Sequence, residues 1–134
     1  NLSSKIIKSA SKRKVIIFTK NKDKEKINYL MKKKCKIIYL KNELRLFNLN
    51  QIVKKTYKLG ICNILVEAGG KLFTNMIKAK VIDEIHIFKT TKKIGKNGIP
   101  MYTGKKSLTI NSLRKKIVER KKFANNLYYR FNLR

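Results

Sequence analysis

The chain has 134 residues, of which 35 are Lys or Arg and 7 are Asp or Glu, so its formal net charge is +28. That length suffices for one ordinary domain with a single core and excludes two such domains. No apolar run is long enough to span a bilayer, and no secretory signal pattern is present, so no membrane partner is predicted.

Four apolar strand-like runs alternate with three helical patterns in the first two thirds of the chain. The strands are residues 14–19, 36–40, 63–67 and 83–89, and the helices are residues 24–33, 48–59 and 71–80. Asn48 is a predicted N-cap, and Gly60 is a predicted C′ residue. Continuous apolar strands that alternate with helices are typical of a parallel sheet covered on both faces.

The last third of the chain shows a different pattern. Residues 90–104 form a polar loop with three glycines and Pro100, the only proline. Two strand-like runs, residues 116–123 and 127–133, are joined by an Asn-rich connection and predict a terminal antiparallel hairpin. The predicted fold class is therefore α/β, with a mostly parallel sheet, flanking helices and an antiparallel C-terminal hairpin.

The junction at residues 64–72, which reads ILVEAGGKL, is the most informative stretch. An apolar run ends in the carboxylate of Glu67, and Gly69 and Gly70 directly precede a helical pattern. This order is typical of a strand, a tight turn and a helix N-terminus. Because the first amides of a helix have no partner within it, the junction is predicted to bind an anion such as phosphate. The alternative is that Glu67 only caps the turn.

Two sequence blocks in order carry a resemblance to a known family. Residues 65–72 read LVEAGGKL, residues 81–84 read VIDE after a helix, and Ile94-Gly95 lies in the loop that follows. This arrangement resembles the reductase domain of the bifunctional riboflavin-biosynthesis enzyme RibD, most sharply over residues 64–98. The family often has Pro-Thr after the first glycine, where this chain has Gly70-Lys71.

The resemblance implies a dihydrofolate reductase-like fold, with residues 1–134 forming a single partial reductase domain that is truncated at its N-terminus. It implies that Glu67 binds the substrate and that the glycine turn and the start of the helix bind NADPH. The implied cofactor-binding residues are Gly69, Gly70, Lys71, Leu72, Phe73, Thr74 and Asn75. No catalytic acid or base and no metal ligand is predicted.

The implied reaction is the NADPH-dependent reduction of 5-amino-6-(5-phosphoribosylamino)uracil in the cytoplasm, with hydride transfer to C1′ of the opened ribosylamine. The expected partner is thus a phosphorylated pyrimidine ribosylamine, and the family's habit suggests a homo-oligomer. Because the sequence begins with Asn1, we expect it to be a piece of a longer enzyme that is inactive alone. The motif of zinc deaminases, H-x-E followed by P-C-x-x-C, is missing, so no deaminase domain is expected in this chain.

Other polar residues are given structural interpretations. Asp83 and Glu84 are adjacent on a strand and point to opposite faces, so they cannot easily share a substrate. His86 shares a face with Glu84 and is predicted to be a packed or surface residue. Cys35 and Cys62 lie at strand edges and are predicted to be buried thiols.

Two alternative functions remain open. The first is another dihydrofolate reductase-like NADPH reductase with a different substrate. The second is a basic nucleic-acid-binding module, for which Tyr128, Tyr129, Arg130 and Phe131 would supply a stacking platform. The lysines are spread along the whole chain, and aromatic residues on a terminal strand more often pack in a core. We therefore expect no specific nucleic-acid partner.

Overall fold

A computed structural model of the chain describes residues 1–40, 47–92, 95, 97–104 and 108–134. Their contacts divide it into two compact units, Asn1–Gly60 and Ile61–Arg134. The expectation of one domain over residues 1–134 stays a prediction. Within the described ranges, none of the helices combines the length and the apolar character that crossing a membrane requires.

The first unit alternates helices with a parallel pair of strands. Its elements are helix α1 (Lys5–Lys8), a 3₁₀ turn (Ser9–Ser11), strand β1 (Ile16–Thr19), helix α2 (Lys24–Lys32), strand β2 (Lys36–Tyr39) and helix α3 (Leu49–Tyr57). Strands β1 and β2 pair in parallel, with Ile17 opposite Ile37. The strand–helix–strand order predicted from the sequence is confirmed here, whereas α1 was not predicted.

Side-chain caps fix where the helices of this unit begin. The Asn48 side chain accepts a hydrogen bond of 3.1 Å from the Gln51 amide, as the sequence predicted. Asp23 caps α2 in the same way by accepting a 3.0 Å bond from the Lys26 amide. Gly60 has a φ of +78°, the left-handed conformation that glycine adopts most easily, and it follows α3 as predicted.

The core of the unit is small and apolar. Its buried residues are Ile7, Ala10, Val15, Leu30 and Cys35.

The second unit is built on an antiparallel three-stranded sheet. Its elements are helix α4 (Gly70–Lys78), strand β3 (Glu84–Lys89), a 3₁₀ turn (Arg114–Lys116), strand β4 (Ile117–Phe123) and strand β5 (Asn126–Asn132). The strand order is β3-β5-β4, and β4 and β5 form the predicted terminal hairpin. A bulge at Val118 shifts the register between Ile117 and Glu119.

One face of this sheet carries the core of the second unit. Ile85, Leu113, Tyr129 and Phe131 are buried there, and Phe131 has no exposed surface. Part of the apolar side of α4, including Phe73, packs against them. The sequence interpretation that the aromatic residues of this strand are core residues agrees with the packing of Tyr129 and Phe131. It is wrong for Tyr128, which is only half-buried because neighbouring residues of a strand point to opposite faces.

Two predictions about local structure are wrong. Residues 63–67 do not form a strand, because no described residue of the second unit pairs with them, and the side chains of Ile64 and Leu65 are 50% and 83% exposed. Cys62 is exposed, whereas Cys35 is buried as predicted. Within the second unit, strand β3 pairs antiparallel with β5. Ile94 of the quoted loop lies outside the described residues.

Candidate functional site

The predicted anion site lies at the start of α4. Gly69 is the N-cap of this helix, with φ −69° and ψ 163°, and it has no side chain to accept the first helical amides. Within the described part of the chain, the amides of Gly70, Lys71 and Leu72 have no hydrogen-bond acceptor. Free amides and the positive end of the helix dipole favour an anion at this point.

The two glycines of the turn have different surroundings. A Cβ atom added to Gly69 would meet nothing within 4 Å, so ligand atoms have room to approach its backbone. A Cβ atom on Gly70 would lie 2.3 Å from the Pro100 carbonyl oxygen and 3.2 Å from that of Met101. Neither glycine has a positive φ. Gly70 is therefore required because the backbone of residues 100–101 crosses the helix start.

A pair of threonines fastens the same loop to α4. Thr74 is 2% exposed, and its hydroxyl accepts a hydrogen bond of 2.8 Å from the Thr103 amide. The Thr103 hydroxyl lies 3.3 Å from the same oxygen. Thr74, which was predicted to bind the cofactor, thus faces the protein interior and holds the loop.

The remaining predicted cofactor residues divide between solvent and core. Lys71, Leu72 and Asn75 are exposed around the first turns of α4, and Leu72 is 47% exposed. Phe73 is partly buried against the core of the second unit. The exposed ammonium group of Lys71 is thus the one predicted side chain that adds positive charge to the free amides.

Glu67 lies two residues before the N-cap, in the extended segment that leads into α4. Its side chain is exposed, and it forms no hydrogen bond or ion pair with any residue that the structure describes. The alternative in which Glu67 caps the turn would require it to accept backbone amides there. The geometry shows no such bond among the described residues, so the carboxylate is available to an incoming ligand.

Asp83 and Glu84 are engaged elsewhere. Asp83 forms an ion pair with Arg134, whereas Glu84 contacts Arg130 at 3.4 Å and His86 at 3.3 Å. Asp83 and Glu84 therefore have separate partners, in agreement with the interpretation that they do not form a catalytic pair. Within the described residues, no three His, Cys, Asp or Glu side chains are grouped as metal ligands would be.

The family model of the RibD C-terminal domain matches residues 1–129. The chain belongs to the RibD C-terminal domain family. Its likeness to the riboflavin biosynthesis protein RibD of Aquifex aeolicus (strain VF5) agrees: the two are 32% identical over 126 residues, which is 94% of this chain and 32% of that protein. The chain thus spans about a third of the length of this curated relative.

Solved structures of a RibD protein and of a pyrimidine reductase-like protein share the fold. Acinetobacter baumannii RibD, form 2, superposes with a TM-score of 0.74 at 16% identity, over 98% of this chain and 34% of that one. A pyrimidine reductase-like protein from Corynebacterium diphtheriae gives 0.73 at 15% identity, over 98% and 56%. The dihydrofolate reductase-like α/β fold that the resemblance implied is confirmed.

The sequence did not predict the contacts that hold the RibD-type glycine turn. Gly70 and Pro100 are thirty residues apart, and Thr74 and Thr103 are separated by 29 residues. The only local signal was a small residue at the start of a helix, followed one turn later by a threonine. Such a pattern does not identify the loop that covers it.

Proposed function

We propose that this chain is part of a RibD-type reductase that uses NADPH to reduce 5-amino-6-(5-phosphoribosylamino)uracil. The chain would contribute the glycine turn at α4 and Glu67, and the rest of a longer enzyme would complete the site. The family supports a reductase of riboflavin biosynthesis. The choice of NADPH and of this substrate is our inference.

The observation that carries the proposal is the set of free amides at the start of α4, beside the open space at Gly69. Phosphate groups are the part of a nicotinamide dinucleotide that such a helix start binds best. The exposed Lys71 and the absence of any carboxylate in the first turn of α4 both favour an anion. These residues therefore fit the phosphate end of the cofactor.

Glu67 has a separate role in the proposal. Its exposed carboxylate follows an apolar run and can accept hydrogen bonds from hydroxyl or amine groups of the opened ribosylamine. The bound cofactor supplies the hydride. The contribution of this chain is to hold donor and acceptor in contact, an effect that can supply much of the rate enhancement without a charged catalytic group.

The test is a fluorescence titration of NADPH against the full-length gene product and variants of the glycine turn. Gly69→Ser keeps a good N-cap residue and fills the open space, and its hydroxyl would compete for the free amides. We expect it to weaken NADPH binding about tenfold or more while leaving the thermal midpoint unchanged or higher. Gly70→Val is unsuitable, because its Cβ atom would strike the Pro100 carbonyl and disturb the fold.

A matched pair of charge variants sharpens the result. Lys71→Gln removes one positive charge in the first turn of α4, and Lys78→Gln removes one in the last turn. We expect the first to weaken NADPH binding about two- to fivefold and the second to leave it unchanged. Equal effects of the two variants would mean that only the overall charge matters.

The substrate role of Glu67 is tested in the same enzyme. Glu67→Gln should keep NADPH affinity and lower kcat/KM for the phosphoribosylamino substrate. A variant that loses NADPH binding instead would reassign Glu67 to the cofactor. If the full-length product binds no NADPH, the proposal is wrong at its base. If the enzyme binds NADPH but 5-amino-6-(5-phosphoribosylamino)uracil does not compete with other pyrimidines for the substrate site, the enzyme is another dihydrofolate reductase-like reductase with a different substrate.

A further inference from the structure

The first unit carries a groove that is lined mainly by lysine side chains. Its lining residues are Lys8, Ser11, Lys32, Lys33 and Lys34, and its volume is about 320 Å³. We call it the lysine groove. A volume of this order lies near the lower end of the range for small-molecule sites, so the groove is large enough for a compact ligand.

The topology of the parallel sheet brings these lysines together. Residues 8–11 lie shortly before β1, and residues 32–34 lie shortly before β2. Paired parallel strands enter a sheet at the same end. Ile16 lies opposite Lys36, and the Lys36 amide donates a hydrogen bond of 2.8 Å to the Val15 carbonyl. The two segments therefore meet at the amino ends of β1 and β2.

The positive charges of the lysine groove are not neutralised by neighbouring carboxylates. None of its four lysines forms an ion pair with a residue that the structure describes. The described acidic residues of the first unit, Asp23 and Glu25, lie at the other end of α2. The Lys33 ammonium group lies 5.7 Å from the centre of the Tyr29 ring, a contact that leaves its charge in place. A cleft lined by one sign of charge concentrates ions of the opposite sign.

The end of α2 does not need these ammonium groups. Basic side chains are common at a helix C-terminus, where they can bond the last carbonyls and interact with the helix dipole. At α2, backbone amides already bond two of these carbonyls. The Lys34 amide donates to Met31 at 2.8 Å, and the Cys35 amide donates to Leu30 at 3.1 Å. The lysine side chains thus stay available to a ligand.

Lys34 keeps a side chain where the backbone favours glycine. Its φ is +65°, in the left-handed region, and it directly follows the C-cap of α2. Glycine is the usual residue there because a Cβ atom costs conformational energy. Lys80 has the same conformation after α4, with φ +53°, and does not line the groove. It is therefore a matched control for a role of Lys34 in binding.

We propose that the lysine groove binds a compact anion with several phosphate groups, such as inorganic triphosphate or the triphosphate of a nucleotide. Each ammonium group carries three donors on a flexible stem and binds phosphate as a point charge. The Ser11 hydroxyl can donate one bond more. Ligands of open α/β sheets usually lie at the carboxyl ends of the strands, whereas this groove lies at the amino ends. The inference does not depend on the proposed reductase activity.

A single-stranded nucleic acid fits the lysine groove less well. Such a strand binds where aromatic rings stack its bases beside the cations. Among the described residues, those that line the groove include no aromatic side chain. Four lysines around a small volume favour phosphates that are carried close together over phosphates that are spread along a strand.

The first test is lysine acylation of the full-length gene product, read by mass spectrometry, with and without saturating inorganic triphosphate. We expect triphosphate to slow the acylation of Lys8 and Lys34 about fivefold or more and to leave Lys80 unchanged. Inorganic phosphate at the same total phosphate concentration should protect much less. Because the readout is local, anion binding elsewhere on this basic protein does not affect it.

The second test uses a matched pair of variants. Lys34→Gly and Lys80→Gly each remove one positive charge and relieve the same left-handed backbone, so both should keep or raise the thermal midpoint. Only Lys34→Gly should weaken the binding of triphosphate in calorimetry, by about fivefold or more. A loss of affinity without a loss of stability cannot arise from misfolding.

Further probes identify the occupant. ATP that binds as tightly as inorganic triphosphate would support a nucleotide as the source of the phosphates, and ATP that binds more weakly would support a free oligophosphate. Unprotected Lys8 and Lys34 would overturn the proposal, as would equal losses of affinity in Lys34→Gly and Lys80→Gly. A single-stranded oligonucleotide that protects these lysines more strongly than triphosphate, at equal phosphate concentration, would assign the groove to nucleic acid instead.

Discussion

The Thr103 amide donates a hydrogen bond of 2.8 Å to the hydroxyl of Thr74, a side chain that is only 2% exposed. This bond joins the loop after β3 to the helix that begins at the glycine turn. It gives Thr74 a structural role beside the candidate cofactor site.

Replacing Thr74 by Val should lower the free energy of unfolding by about 1–3 kcal/mol, because the Thr103 amide loses its acceptor in a partly buried place. Urea denaturation measures the change. Thr103→Val is the control, since it keeps both the amide and the Thr74 hydroxyl, and it should cost much less. Similar costs for the two variants would contradict the importance of this bond.

The glycines of the turn should differ in their tolerance of a methyl group. Gly70→Ala places a Cβ atom 2.3 Å from the Pro100 carbonyl and should destabilise the fold by about 1–3 kcal/mol. Gly69→Ala meets open space, and its loss of N-cap preference is offset by reduced unfolded-state entropy, so little change is expected. Thermal denaturation of both variants checks the difference, and a larger cost at Gly69 would refute it.

Two phenylalanines on opposite faces of the sheet should respond differently to truncation. Phe131 has no exposed surface, so Phe131→Ala should cost about 3–5 kcal/mol and can leave the chain unfolded. Phe88 is 71% exposed, and Phe88→Ala removes the same atoms with a small effect on stability. Denaturant unfolding at low protein concentration compares the two variants. Equal losses in the free energy of unfolding would show that Phe131 does not lie in the core.

The ion pair between Glu119 and Lys121 predicts a pH dependence of the stability of the fold. The hydrogen bond and charge of Lys121 hold the pKa of Glu119 below its usual value, and Glu119 raises the pKa of Lys121. A lowered carboxyl pKa stabilises the fold above the unfolded-state pKa. That contribution disappears as the pH falls through the folded-state pKa of Glu119, in the acid range.

Carboxyl NMR titration checks this directly. Lys121→Gln should raise the pKa of Glu119, although Arg130 continues to lower it. The stability difference between the unchanged chain and Glu119→Gln should shrink toward acid pH. A Glu119 pKa that does not respond to Lys121→Gln would mean that the two side chains do not interact in solution.

Local signals allowed much of this fold to be predicted. Asn48 and Gly60 mark the ends of α3 because a cap and a left-handed residue are local requirements. The same holds for the hairpin of β4 and β5, which is joined by a short polar turn. Residues 63–67 have the composition of a strand. A strand also needs a second strand to pair with, and the sequence of the segment does not show whether one is available.

The candidate site could be predicted only in outline. The glycine turn and the helix start were identified because both follow from local sequence. The inward direction of Thr74 and the close approach of Pro100 to Gly70 depend on where a distant loop passes, which spacing along the chain does not encode. Whether Glu67 and the first turn of α4 bind the proposed ligands stays a prediction.

The segment before Glu67 has a practical consequence. Residues 61–66 are apolar for the most part, include β-branched side chains and carry no charge, and Leu65 is 83% exposed. Within the described residues of the second unit, their backbone groups make no hydrogen bonds to one another or to the sheet. An exposed stretch of this composition is a template for intermolecular strand addition, so aggregation and proteolytic cleavage of the isolated chain should both begin here.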